Sequence, residues 1–108
     1  LLDGVQVCSC MVSAAQAHGA SVVTVEGLSR DAAGRALQQA FHKHDAAQCG
    51  YCTPGILLTA KALLDSEPRP TRDGIRAALA GNLCRCTGYS KILDAVELAA
   101  GRMAKARA

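Results

Sequence analysis

Residues 48–55 read QCGYCTPG, and residues 81–89 read GNLCRCTGY. The first stretch contains a C-x-x-C pair, the second contains a C-x-C pair, and a helix start signal follows each of them. A helix turns by about 100° per residue, so a C-x-C pair cannot point both sulfurs at one centre from within a helix. We therefore expect both pairs to lie in inter-helix loops, with the second loop irregular and wrapped around a bound group.

From position 29 onward, the apolar residues recur at helical spacing. Capping residues, together with glycine and proline stops, predict four helices. These helices are expected to run from Ser29 to about His42, from Thr53-Pro54 to before Pro68, from Thr71 to Gly81, and from Ser90 onward. The short connections predict a small bundle with a core of Ala, Leu, Val and Ile, because aromatic residues make up only 3% of the chain.

Residues 1–28 show a different pattern, that of a small mixed α/β unit. Two short strands are expected around an Asp-Gly turn in the first residues, and a β-branched run at 21–25 predicts a third strand. The Ala-rich segment 11–18 is followed by a glycine, which predicts a short helix. We therefore divide the chain into a remnant of an α/β domain at 1–28 and a helical domain at 29–108.

Charge and hydropathy exclude several classes of protein. The net charge of +3 comes without a basic run and with few aromatics, which argues against nucleic-acid binding. Apolar stretches such as 56–58 are far shorter than the ~20 residues of a membrane-spanning helix. No signal peptide is visible, so we expect a cytoplasmic protein. The sequence begins at Leu1 in what reads as mid-strand, and we expect an N-terminal part to be missing.

Four cysteines, Cys49, Cys52, Cys84 and Cys86, provide the full ligand set of a [2Fe-2S] cluster. Thiolates are stabilised near helix N-termini by unpaired N–H groups and the helix dipole. Four thiolates also bind structural zinc, and the spacing alone does not decide between zinc and iron–sulfur, because the C-x-C and the 31-residue gap fit neither standard pattern. A disulfide framework is disfavoured because such proteins are loop-rich and secreted, and a thioredoxin-like dithiol because no βαβ context surrounds the C-x-x-C.

The two quoted stretches resemble, nearly residue for residue, the signatures of the iron–sulfur subunit of the molybdenum hydroxylases. This is the family of xanthine oxidase, aldehyde oxidoreductase and carbon monoxide dehydrogenase, and the likeness runs over essentially the whole chain. The resemblance implies a mainly α fold, in which a four-helix [2Fe-2S]-binding bundle follows the C-terminal remnant of a plant-type ferredoxin-like α/β domain. It also implies that the ligands of one complete cluster are Cys49, Cys52, Cys84 and Cys86.

The resemblance implies further roles for single residues. Gln48 and Cys86 would contact the pterin of the molybdenum cofactor, where electrons enter; the other reading of Gln48 is a loop amide that bonds nearby backbone. Cys10 would be the surviving ligand of a second [2Fe-2S] cluster, whose other three ligands this sequence lacks. Cys8 would be a buried small apolar residue. The histidines fit no site and are expected at the surface: His18, His42 and His44.

The function that the resemblance implies is electron transfer within a molybdenum-dependent hydroxylase or dehydrogenase. Substrate would be hydroxylated in a large molybdopterin-binding subunit, and this chain would not be catalytic alone. Electrons would pass through it, one at a time, towards an FAD-binding medium subunit or another acceptor. The alternative is a zinc-stapled helical module that only mediates assembly. Neither nucleic acid nor a membrane is an expected partner.

Overall fold

Helices dominate the fold, as a computed structural model of residues 1–107 shows. The four α-helices are α1 (Ala32–Lys43), α2 (Thr53–Ser66), α3 (Arg72–Leu79) and α4 (Ser90–Arg107). Two 3-10 helices, Ser9–Met11 and Val25–Arg30, precede them. The prediction of a mainly α fold with four helices in its C-terminal part is confirmed.

The helices form one bundle around a shared apolar core. α1 packs chiefly against α4, α2 packs against α1 and α3, and α3 packs against α4. The largest fully buried side chains come from every helix and from the preceding 3-10 segment: Leu28, Leu37, Ile56, Leu64, Ile75, Leu79, Ile92 and Val96. Each such side chain contributes roughly 2 kcal/mol by leaving water. None of the helices in residues 1–107 combines the length and the apolar composition that a bilayer crossing requires.

The starts of α1 and α3 follow the capping rules, with one correction. Thr71 caps α3 as predicted, since its hydroxyl accepts a hydrogen bond from the Gly74 N–H at 3.0 Å. α1 is capped by Asp31, whose Oδ1 accepts from the Gly34 N–H at 2.7 Å. The prediction that Ser29 caps α1 is therefore wrong, because Ser29 belongs to the preceding 3-10 helix.

The start of α2 needs a second correction. Cys52 occupies the N-cap position, and Thr53 and Pro54 take the first helical positions, so the Thr53 hydroxyl is not the cap. Thr53 Oγ1 is buried and has no hydrogen-bond partner within residues 1–107. Proline still marks the helix start, as predicted, because its missing N–H costs nothing there. The end of α2 at Ser66, ahead of Pro68, also agrees with the prediction.

The first part of the chain contains turns and isolated bridges. Leu2 bridges to Val5 and to Val22, and the Asp3-Gly4 turn between the first pair has φ values of +48° and +81°. Segment 14–19 forms turns. The predicted strands and the predicted short helix are therefore wrong as regular elements. A strand needs a ladder of paired residues, and each predicted strand here contributes a single bridging residue.

The 3-10 helix Val25–Arg30 packs against α1 and α2. Leu28 is 0% exposed in the bundle core. Its carbonyl group approaches α1 so closely that a Cβ on Gly34 would lie 2.6 Å from the Leu28 carbonyl carbon. Leu28, the last residue of the predicted first domain, thus contacts the helical bundle. The domain boundary between 28 and 29 stays a prediction.

Candidate metal centre

The first cysteine pair lies in the loop that connects α1 to α2. Ala46 anchors this loop: its side chain is buried, and its N–H donates to the Phe41 carbonyl oxygen at 2.9 Å. Gly50 has a φ of +83°, a left-handed conformation that favours glycine, and it turns the chain into the helix. As a result, Cys52 lies half-buried at the N-cap of α2, while Cys49 stays exposed.

The second cysteine pair lies in the loop that connects α3 to α4, and Tyr89 organises this loop. The Tyr89 hydroxyl accepts a hydrogen bond from the Cys84 N–H at 2.7 Å and donates one to the Asn82 carbonyl oxygen at 3.0 Å. Gly88 and Tyr89 both have positive φ, +67° and +71°, which turns the chain back so that the ring reaches these groups. Cys84 is half-buried, and Cys86 is exposed.

A polar contact joins the second loop to the helix that follows the first. Asn82 Nδ2 donates a hydrogen bond to Thr59 Oγ1, in the middle of α2, at 2.9 Å. Gly55 makes room for this contact, because a Cβ at that position would lie 2.9 Å from Asn82 Oδ1. Since α2 starts directly after Cys52, the contact holds the C-x-C loop beside the helix that carries the first pair.

The thiols of the two pairs meet across the loops. Cys49 lies close to Cys86, and Cys52 lies close to Cys84, so that each thiol shifts the pKa of the other. The Tyr51 N–H and, after it, the Cys86 thiol lower the pKa of Cys49, whereas the contact with Cys49 raises the pKa of Cys86. The structure thus brings the four predicted cysteines to one place, and their role as ligands remains a prediction.

Cys52 and Cys84 differ most strongly in acidity. The hydroxyl of Thr87, followed by the N–H groups of Thr87 and Cys86, lowers the pKa of Cys84 to about 7. Burial, followed by the neighbouring Cys84 thiol, raises the pKa of Cys52 to about 11. The C-x-C loop is therefore shaped to stabilise negative charge on Cys84. All six cysteines are free thiols in the structure, so the disulfide framework gains no support.

The helical part of the chain, with both cysteine loops, matches a known protein family. Residues 24–97 match the [2Fe-2S] binding domain. This chain belongs to that family. Its resemblance to the small iron–sulfur subunit of the molybdenum hydroxylases is confirmed as well.

This chain is similar over nearly its whole length to the small subunits of two dehydrogenases or hydroxylases. It is 50% identical over 104 residues to the nicotinate dehydrogenase small FeS subunit of Eubacterium barkeri, covering 96% of this chain and 66% of that protein. It is 52% identical over 103 residues to the nicotine 6-hydroxylase small subunit of Paenarthrobacter nicotinovorans, covering 95% and 62%. The chain thus spans less than two thirds of the length of these relatives.

A solved structure shares the fold. The quinoline 2-oxidoreductase from Pseudomonas putida 86 superposes with a TM-score of 0.88 at 48% identity, covering 98% of this chain and 66% of that one. The four cysteine thiols of this chain fit a [2Fe-2S] cluster, because a cluster of this type takes four thiolate ligands. The four thiols stand in two facing contacts.

Two further cysteines of the [2Fe-2S] protein lie outside this site. Cys8 and Cys10 stand at the 3-10 helix Ser9–Met11, and both are exposed. The prediction that Cys8 is buried is wrong, because no residue of this one-turn helix packs into the core. The ligand role of Cys10 stays a prediction. Of the histidines, two are exposed as predicted and the last is half-buried: His18, His42 and His44.

Sequence reasoning missed the polar side chains that support the cysteines: Thr59, Asn82, Thr87 and Tyr89. Three of them lie inside the quoted stretch 81–89, but the sequence pattern assigned them no function. Their partners depend on the shape of an irregular loop and on its contact with α2, which no periodicity reveals. The available signal was a cluster of hydrogen-bonding side chains immediately beside two cysteines.

The difference in acidity predicts an order of alkylation in the metal-free [2Fe-2S] domain. At pH 8, a pKa of about 7 makes Cys84 about 90% thiolate, while a pKa of about 11 leaves Cys52 with on the order of 0.1%. The lower pKa also weakens the nucleophile, which offsets most of this advantage. We expect iodoacetamide to modify Cys84 roughly tenfold faster, and the rate at Cys84 to fall below pH 7. Peptide mass spectrometry measures both rates, and faster modification of Cys52 would contradict the assignment.

Tyr89→Phe is expected to loosen the second loop. The change leaves the Cys84 N–H and the Asn82 carbonyl oxygen without their partner, at a cost of about 1–3 kcal/mol. We expect an iron chelator to bleach the visible absorption of the variant roughly tenfold faster. The matched control is Tyr51→Phe, because Tyr51 is 94% exposed. Equal bleaching rates in the two variants would show that the Tyr89 hydroxyl does not support the site.

Proposed function

We propose that this chain is the electron-transfer [2Fe-2S] subunit of a molybdenum-dependent hydroxylase or dehydrogenase. The observation that carries the proposal is the contact of two thiols from one loop with two from another, inside a domain that matches the [2Fe-2S] binding family. The small FeS subunit of nicotinate dehydrogenase, at 50% identity, supports the same conclusion. The zinc-stapled assembly module lacks comparable support.

In this proposal, the cluster ligands are Cys49, Cys52, Cys84 and Cys86. When bound, a [2Fe-2S] cluster supplies one-electron transfer. The chain's own contribution is to fix the four sulfurs and to stabilise negative charge on Cys49 and Cys84. The N–H of Tyr51 stabilises the Cys49 thiolate, and the hydroxyl and N–H of Thr87 stabilise the Cys84 thiolate. Cys52 is held at the N-cap of α2, where its burial raises its pKa.

The exposed side of the site is proposed to face the large molybdopterin-binding subunit. Gln48 and Cys86 are exposed, which supports their predicted contact with the pterin. Tyr51 and Leu83 are 94% and 83% exposed, and each directly adjoins a proposed ligand. Tyrosine is enriched where protein surfaces meet, so an exposed tyrosine at this point supports a covered contact.

The first part of the chain is proposed to belong to a second unit. Residues 1–28 are the C-terminal remnant of a ferredoxin-like domain, residues 29–108 form the helical [2Fe-2S] domain, and Cys10 is a ligand of a second cluster. The exposure of Cys10 and of Met11 (82%) supports this, because both stand free to contact a neighbouring segment. Electrons would pass through the second cluster to an FAD-binding medium subunit. The proposed location is the cytoplasm, where thiols are kept reduced.

Metal analysis of the full-length subunit tests the proposal. We expect about four irons and four acid-labile sulfides, half of each from the site formed by the two loops and half from the proposed second cluster, together with EPR signals that appear on reduction. Zinc alone, in a colourless protein without labile sulfide, would establish the assembly module instead. Purification under anaerobic conditions keeps oxidative loss of iron from imitating that second outcome.

A further inference from the structure

Thr87 directly follows the C-x-C pair, and its side chain contacts one of the two cysteines. Thr87 Oγ1 lies 3.1 Å from Cys84 Sγ, and it accepts a hydrogen bond from the Tyr89 N–H at 3.2 Å. Thr87 is half-buried. The hydroxyl oxygen is therefore held in place between a backbone donor and the sulfur.

The direction of the contact between Thr87 and Cys84 follows from the protons available. A Cys84 sulfur that binds iron is a thiolate and has no proton to donate. A threonine hydroxyl has one proton and two lone pairs, and the Tyr89 N–H occupies one lone pair. The hydroxyl proton therefore points at Cys84 Sγ, which makes a charge-assisted hydrogen bond.

We propose that Thr87 raises the reduction potential of the cluster by donating this hydrogen bond to Cys84 Sγ. The inference rests on the proposed function, in which Cys84 is a cluster ligand. Reduction adds one electron, and therefore one negative charge, without forming or breaking a bond. A fixed donor at a ligand sulfur stabilises the reduced form more than the oxidised form, and hydrogen bonds to sulfur are among the factors that set cluster potentials.

Two observations single out Thr87 among the hydroxyl groups near the cysteines. Its Oγ1 lies 3.1 Å from Cys84 Sγ and is held there by the Tyr89 N–H. Thr53 adjoins Cys52 on the other loop, but in the described residues its buried Oγ1 has no hydrogen-bond partner. Thr53 therefore offers a matched control, a threonine next to a proposed ligand that makes no such bond.

A redox titration followed by EPR tests the inference in the full-length subunit within its complex. In Thr87→Val, which keeps the shape and removes the donor, we expect reduction to become about tenfold less favourable, a potential ~59 mV lower for one electron. Thr87→Ser keeps the donor and should stay near the wild-type value, and Thr53→Val should leave the potential unchanged. A wild-type potential in Thr87→Val would overturn the inference. Absence of any [2Fe-2S] signal in the wild type would instead refute the proposed function.

A second measurement covers the case in which Thr87→Val does not hold the cluster. Wild-type protein is reduced, mixed briefly with heavy water and frozen, so that hydroxyl protons exchange while buried N–H groups do not. We expect electron–nuclear double resonance to detect a deuteron strongly coupled to the reduced cluster, in the wild type and in Thr87→Ser. If no such deuteron is detected, Thr87 does not donate to the cluster and the inference is wrong.

Discussion

Cys84→Ser is expected to abolish the cluster proposed between the two loops and to reduce turnover of the proposed molybdenum enzyme to background. A serine hydroxyl does not ionise near neutral pH, so the site loses the thiolate that its loop is shaped to stabilise, with a pKa of about 7. The Thr87 hydroxyl and the neighbouring N–H groups are then left facing a neutral oxygen. We expect the matching EPR signal to disappear while the molybdenum content of the proposed complex stays unchanged.

The control for this experiment is Cys8→Ser. Cys8 is an exposed free thiol outside the four-cysteine site, so its replacement should leave the cluster signal and the turnover unchanged. Metal analysis and circular dichroism on both variants separate loss of the cluster from loss of the fold. Visible and EPR spectra that remain unchanged in Cys84→Ser would rule out the ligand assignment.

The helix pattern was predictable where local signals agreed with each other. Thr71 caps α3 and Pro68 follows the end of α2, and both positions were predicted because each depends on a few neighbouring residues. The start of α1 was not, since both Ser29 and Asp31 have side chains that cap helices well. The choice between them depends on burial of Leu28 against α1, which is a tertiary contact.

In the candidate site, too, local features were predictable from the sequence and tertiary contacts were not. The four cysteines could be proposed as ligands from their spacing and the residues around them, because the chemistry of a ligand is carried by its own side chain, and the structure brings them close together. Their support was not recognisable: Tyr89 reaches back to Cys84 only through two residues with positive φ, and Asn82 meets Thr59 only because α2 passes the loop. These contacts are set by the tertiary structure.

Gly34→Ala is expected to destabilise the bundle by about 3 kcal/mol. Alanine in place of glycine inside a helix would ordinarily stabilise it by up to about 1 kcal/mol. Here the added Cβ would lie 2.6 Å from the carbonyl carbon of Leu28 and closer still to its oxygen. Both atoms belong to the backbone, so no side-chain rotation relieves the clash. The 3-10 helix has to move away, which draws the buried Leu28 out of the core and accounts for roughly 2 kcal/mol of the expected loss.

Thermal unfolding followed by circular dichroism measures this effect, with a fall in melting temperature of roughly 15 °C expected for Gly34→Ala. Gly101→Ala is the matched control, because Gly101 lies in α4 and a Cβ there would meet nothing within 4 Å. That variant should show only the gain in helix propensity and melt slightly above the wild type. A melting temperature raised by both substitutions would mean that the 3-10 helix does not pack against α1. The pair therefore separates the helix propensity of glycine, which both variants share, from the close backbone approach that exists only at Gly34.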